Sequence, residues 1–103
     1  MYKLVFFVPE THRDAVKQAV FATGAGKIGD YDSCCWEVAG QGQFRPLAGA
    51  NPFLGTTGRV ESVSEYRVEL VCEDDLIRVA IAAMKQAHPY EEPAYDVIRL
   101  ESL

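Results

Sequence analysis

The sequence predicts an α+β fold, a four-stranded antiparallel sheet with both helices packed on one face. Three observations predict it. The hydrophobic period switches between strand and helix in the order β-α-β-β-α-β, the two helical stretches match in length, and a long loop parts the second strand from the third. That order is the ferredoxin-like sandwich, expected here as a single domain over residues 1–103.

Tyr2 to Val8 is apolar on both faces, with Leu4, Phe6 and Val8 on one side and Val5 and Phe7 on the other, the pattern of a central strand. Thr11 followed by Asp14 resembles an N-cap pair. Ala15, Val16, Ala19 and Val20 then recur at helical spacing until Gly24 ends the helix. In the second strand Cys34, Trp36, Val38, Gly40, Gly42 and Phe44 share the face expected to point inward, and Glu37, Gln41 and Gln43 share the other. Glycines on an inner face admit the close approach of a backbone or a ligand.

From Arg45 to Gly58 the chain is too densely punctuated by Pro46, Gly49, Pro52 and Gly55 for regular structure. Alternation returns between Val60 and Cys72, with Tyr66, Val68, Leu70 and Cys72 pointing one way and Glu61, Glu65, Arg67 and Glu69 the other. Asp74 or Asp75 caps a second helix carrying Leu76, Val79, Ala80, Ala83, Met84 and Ala87, and Ala94 to Leu100 is the last strand. Val5, Phe7 and Ala39 are expected on the face the helices leave open, an apolar surface that favours self-association.

Composition narrows the function classes. Apolar residues at 49% and charged ones at 24% suit a globular core and oppose disorder or a membrane span. The apolar run Leu4–Val8 is too short for an export signal, so the expected compartment is cytoplasmic. Three cysteines make no disulfide framework and are read as thiols. A net charge of −5 opposes a nucleic-acid partner, which needs a basic face.

Gly24-Ala25-Gly26-Lys27-Ile28-Gly29 spells G-x-G-x-x-G, but a helix precedes it and a strand follows, the reverse of a dinucleotide fingerprint. It reads as a helix C-cap with a tight turn, whose amides and Lys27 offer at most an anion site. Cys34 and Cys35 point to opposite strand faces and do not suit one tetrahedral ion, so Cys34 and Cys72 are expected in the core. His12 reads as a surface residue, and Glu61, Glu65 and Glu69 with Arg59 and Arg67 as a solvated or intersubunit face.

The richest stretch is Ala87-His88-Pro89-Tyr90-Glu91-Glu92-Pro93-Ala94-Tyr95-Asp96-Val97, where a helix stops, two prolines turn the chain and a strand begins. It concentrates one of two histidines beside aromatics and acids. His88 reads first as a structural corner residue, and second as a base or metal ligand beside Glu91 and Glu92.

With these residues in view, the chain resembles the PII-like domain inserted in YqfO-type dinuclear-metal proteins, the Nif-three family. The resemblance runs nearly end to end. It rests on Gly24 through Tyr31 with Cys34 and Trp36, on Gly40-Gln41-Gly42-Gln43-Phe44-Arg45-Pro46, on Gly49-Ala50-Asn51-Pro52, on Gly55, Gly58, Glu61, Val63, Glu65, Arg67 and Glu69, and on His88 through Asp96. The His-Pro-Tyr-Glu corner also resembles the CutA divalent-ion-tolerance proteins, which share the trimer-forming architecture of PII proteins. The full-length family holds its metals in flanking domains rich in His, Asp and Glu, which two histidines here do not reproduce.

The resemblance implies a free-standing homo-oligomeric binding or regulatory module, a trimer ahead of a dimer, without catalytic residues or a required cofactor. Its small-molecule or protein partner would meet His88, Tyr90, Glu91 and Glu92 at the corner and Gly40, Gly42, Phe44 and Arg45 in the glycine-rich segment. The alternatives are a divalent-metal binder of the CutA kind, using His88, Glu91 or Glu92 with a carboxylate from a neighbouring subunit, and a metal-dependent hydrolase by family association.

Overall fold

In the computed structural model, which describes residues 1–103, β1 spans Tyr2–Pro9, β2 Trp36–Phe44, β3 Glu61–Cys72 and β4 Tyr95–Arg99. Between them lie α1, Arg13–Phe21, entered through a 3-10 turn at Glu10–His12, and α2, Ile77–Ala87. The sheet order is β2-β3-β1-β4 and each pair is antiparallel, so β1 is central as its two apolar faces require. No helix is long and apolar enough to cross a membrane.

Leu4, Phe6 and Val8 of β1 meet Val68, Leu70 and Cys72 of β3 under Val16 and Val20 of α1 and Ile77, Ala80 and Met84 of α2. Both helices therefore cover one face. Burying side chains of this size stabilises the fold by about 1.5–3 kcal/mol each. Ile77 and Ile81 take the core side of α2, while Val79, expected there, is 49% exposed.

The cap residues differ from expectation. Neither helix has a side-chain cap: His12 and Leu76 occupy the N-cap positions. The Thr11 hydroxyl meets His12 Nδ1 instead, and Asp74 is drawn to the terminal ammonium and Arg99, charges that outcompete helix amides for a carboxylate. Gly24 does end α1, in the left-handed conformation at φ +98° with its amide on the Phe21 carbonyl.

The second strand faces the other way. Ala39 pairs with Tyr66, which packs on the core, and Glu37 pairs with Val68, so both lie on the helix side. Glu37 is held there by Lys17 at 2.6 Å and Arg13 at 3.4 Å, which raises the Lys17 pKa through that hydrogen bond. Trp36, Val38, Gly40, Gly42 and Phe44 consequently face away from the helices. In register, Trp36, Glu69, Val5 and Asp96 form one row of the open face, and Val38, Arg67 and Phe7 the next. This face is mixed, with an Arg67–Glu69 ion pair at 3.0 Å beside exposed Trp36 and Val38. Cys34 precedes the strand and lies outside the core, which takes Cys72 and, partly, Cys35.

From Gln41↔Ser64 to Phe44↔Glu61 the β2–β3 ladder has no third strand, because β1 stops at Pro9↔Glu65. This arm contributes to an elongated shape of 46 × 24 × 23 Å. Its connecting segment, residues 45–60, folds back toward the chain turn after α2.

Candidate functional site

The corner is built by its prolines. α2 stops at Ala87, and His88 adopts φ −75°, ψ 138°, the extended form that the residue before Pro89 requires. Its ring turns inward and is only 6% exposed. Nδ1 accepts the Tyr90 amide at 3.1 Å, so Nε2 carries the proton and donates to the Phe7 carbonyl at 2.7 Å. Burial, more than any neighbouring charge, pushes the His88 pKa below its ordinary value.

Tyr90 stands between His88 and the arm. Its ring is 4.9 Å from the His88 ring, 6.0 Å from Phe44 and 6.4 Å from Phe53. Its hydroxyl donates to Glu65 Oε2 at 3.2 Å. Burial first, and then the Glu65 charge and hydrogen bond, push the Tyr90 pKa up to about 12. Gly42 makes this contact sterically open: a Cβ there would sit 1.8 Å from Glu65 Oε1.

The loop forms the opposite wall. Gly58 N–H donates to the Pro46 carbonyl at 2.7 Å, and Asn51 N–H donates to Glu91 Oε1 at 2.9 Å, which ties loop to corner. Phe53 sets its edge against His12, with ring centroids 5.5 Å apart. Between loop, arm and corner lies a cleft of about 310 Å³. Phe7, Phe44, Phe53 and Tyr90 supply its apolar walls, and Glu65, Glu91 and Glu92 its charges.

Tyr90, Glu91, Glu92 and Phe44 of the sequence candidates thus line one cleft. His88 lies behind it as support, and Gly42 lies beneath Glu65. Gly40 and Arg45 are outside the lining. Phe7, Phe53 and Glu65 also line the cleft, and the sequence pattern alone does not mark them as site residues. For Glu65 the signal was available only through the β2–β3 register, which sets it beside the arm glycines.

His88 and Glu91, the metal candidates, are each bonded to backbone groups. No three His, Cys, Asp or Glu side chains converge to hold a metal, so this chain's residues do not fit a dinuclear centre. The Gly24–Gly29 turn loses its anion reading, because the Gly26 amide donates to Val71 and the Ile28 amide to Tyr31 within the fold. The hollow beside Lys27 is also lined by Asp30 and Asp32.

No protein-family model matches the chain. It is 51% identical over 98 residues to the GTP cyclohydrolase 1 type 2 homolog of Mycobacterium tuberculosis, covering 95% of this chain and 26% of that protein. Among solved structures, the Bacillus cereus protein related to NIF3 is 42% identical with a TM-score of 0.84, over 98% of this chain and 26% of that one. The periplasmic divalent cation tolerance protein CutA from Archaeoglobus fulgidus shares the fold alone, at 13% identity and TM-score 0.70, over 99% of this chain and 86% of that one.

The fold is that of a CutA-like, PII-like α+β domain. Over nearly its whole length the chain is homologous to one segment of NIF3-related, YqfO-type proteins, and it spans about a quarter of the length of the curated relatives it matches (26%).

Proposed function

We propose that the chain is a cytoplasmic, homo-oligomeric binding or regulatory module whose small ligand enters the cleft between the 45–60 loop and the His88 corner. The observation that carries this reading is the cleft itself: an apolar hollow of about 310 Å³ with a few convergent polar groups on a rigid sheet edge. Free cysteines suit a reducing compartment.

Oligomerisation is supported by the open sheet face, where Trp36 is 61%, Val38 44% and Ile98 48% exposed. A trimer is the assembly that the PII-like resemblance implies, with a dimer next. The cyclohydrolase name of the relatives belongs to proteins of which this chain spans 26%, so that activity is not assigned to it. A divalent ion, the alternative at the corner, would need a carboxylate from another copy, since no three ligands converge within one chain.

Sedimentation velocity on the wild type and on Trp36→Glu tests the assembly. A single monomer species for the wild type at tens of micromolar overturns it. Metal analysis of the purified oligomer separates the two ligand readings, because a shared metal site gives stoichiometric metal and the cleft reading gives none. For the cleft, a fragment titration followed at the Asn51 and Tyr90 amides is decisive, and silence at both argues against a ligand there.

A further inference from the structure

We infer that the cleft selects small organic cations that carry an apolar body, an ammonium or amidinium head on a single ring or branched chain. This rests on the reading of the cleft as the ligand site and adds the chemical class of the ligand.

The charges of the cleft have one sign. Glu65, Glu91 and Glu92 line it, and no lysine, arginine or histidine does. None of the three forms an ion pair within the chain. Glu65 accepts one neutral hydrogen bond from Tyr90 and Glu91 one from the Asn51 amide, so each keeps acceptor capacity for a cation. Glu92 has no protein hydrogen-bond partner at all.

The walls suit the same ligand. Phe44 and Phe53 flank Tyr90 at 6.0 and 6.4 Å between ring centroids, which puts three aromatic rings around one hollow. Aromatic faces carry negative quadrupole density and attract cations, above all where water is excluded. Burial first, and then the Glu65 charge, push the Tyr90 pKa up to about 12, so its phenol stays a neutral donor and adds no charge to the cleft at neutral pH. A phosphate or carboxylate entering here meets three like charges and no cation in the lining, and Arg67, 5.9 Å over the Phe7 ring, is already paired with Glu69, which disfavours nucleotides and organic acids. The volume, about 310 Å³, lies at the small end of ligand pockets and limits the guest to roughly one ring.

Three probes of matched shape test this: phenethylammonium, 2-phenylethanol and 3-phenylpropionate, each titrated into isotopically labelled protein at neutral pH and followed by amide chemical shifts. The ammonium is expected to move the Asn51, Tyr90 and Glu91 amides with a midpoint about tenfold below that of the alcohol, and the propionate to leave them still. Glu92→Gln, an exposed change, is expected to cut the preference for the ammonium severalfold, as is Glu65→Gln, and added salt to weaken it. Equal or tighter binding of the alcohol, or cleft shifts with the propionate, overturns the cation inference and leaves the cleft a ligand site. An absence of cleft shifts with all three overturns both.

Discussion

The His88 ring donates from Nε2 to the carbonyl of Phe7 at 2.7 Å, joining the end of α2 to the middle of the sheet across 81 residues of sequence. The bond completes the edge of a strand. Phe7 N–H donates to Ala94 at 3.2 Å, and its carbonyl faces the same side, where the ladder with β4 has ended at Phe6↔Tyr95. The histidine supplies the donor that the missing strand residue does not. Its other nitrogen orders Tyr90, so one side chain holds both the sheet and the cleft wall in place.

Replacing that ring is therefore expected to be expensive. His88→Ala leaves the Phe7 carbonyl and the Tyr90 amide without partners in a buried site, a loss of about 2 kcal/mol. Urea unfolding of the two proteins checks the value, and an unchanged midpoint would refute the structural role.

Stability should also depend on pH through His88. Burial lowers its folded-state pKa below the ordinary 6.5, so the unfolded chain takes up the proton first as the solution is acidified. The stabilisation held by the neutral ring is full above pH 6.5 and is lost progressively as pH falls from there through the lowered folded value. Denaturation midpoints between neutral pH and about pH 5 should decline in the wild type and decline less in His88→Gln. Parallel curves would rule out a coupled, buried histidine.

Gly42 and Glu65 govern the Tyr90 phenol. In Gly42→Ala the new methyl meets the flexible end of Glu65, which swings away and releases the Tyr90 hydroxyl. The Tyr90 pKa, held near 12, is then expected to drop partway toward 10, with the part due to burial remaining. An ultraviolet titration referenced to Tyr90→Phe measures it, and a pKa unmoved in both Gly42→Ala and Glu65→Gln would show that Glu65 has no hold on the phenol.

Two glycines should respond very differently to alanine. Gly26 has φ +80°, and a Cβ there would lie 2.8 Å from Phe21 and 2.9 Å from the Cys34 carbonyl, so Gly26→Ala should lose about 2–3 kcal/mol. Gly40 has open space around its Cβ position and an ordinary φ, so Gly40→Ala should be neutral within about 0.5 kcal/mol. Thermal melts of the pair give the contrast, and equal shifts would contradict the turn geometry.

Much of the fold is legible along the chain. The doubly apolar run Leu4–Val8 demands a strand with neighbours on both edges, and β1 has them in β3 and β4. Pro89 and Pro93 force a corner, and Gly24 stops α1, because these residues restrict or free the backbone whatever surrounds them. Tyr90, Glu91 and Glu92 stand out for the same local reason: a fixed corner presents them together.

The rest was decided in three dimensions. Alternation along β2 says that Trp36, Val38 and Phe44 share a face, yet it is silent on which face the helices cover. Glu37 settles that through Arg13 and Lys17, two α1 cations that satisfy a carboxylate on the helix side, and no local pattern ranks that attraction against the burial of Trp36. Glu65 likewise reads as one more charge on a polar strand until β2 pairs with β3 and Gly42 leaves room for it beside Tyr90. Backbone preferences act within a few residues and are written in the sequence. The covered face and the shape of the cleft depend on register and on contacts between distant segments, which come into being only when the chain folds.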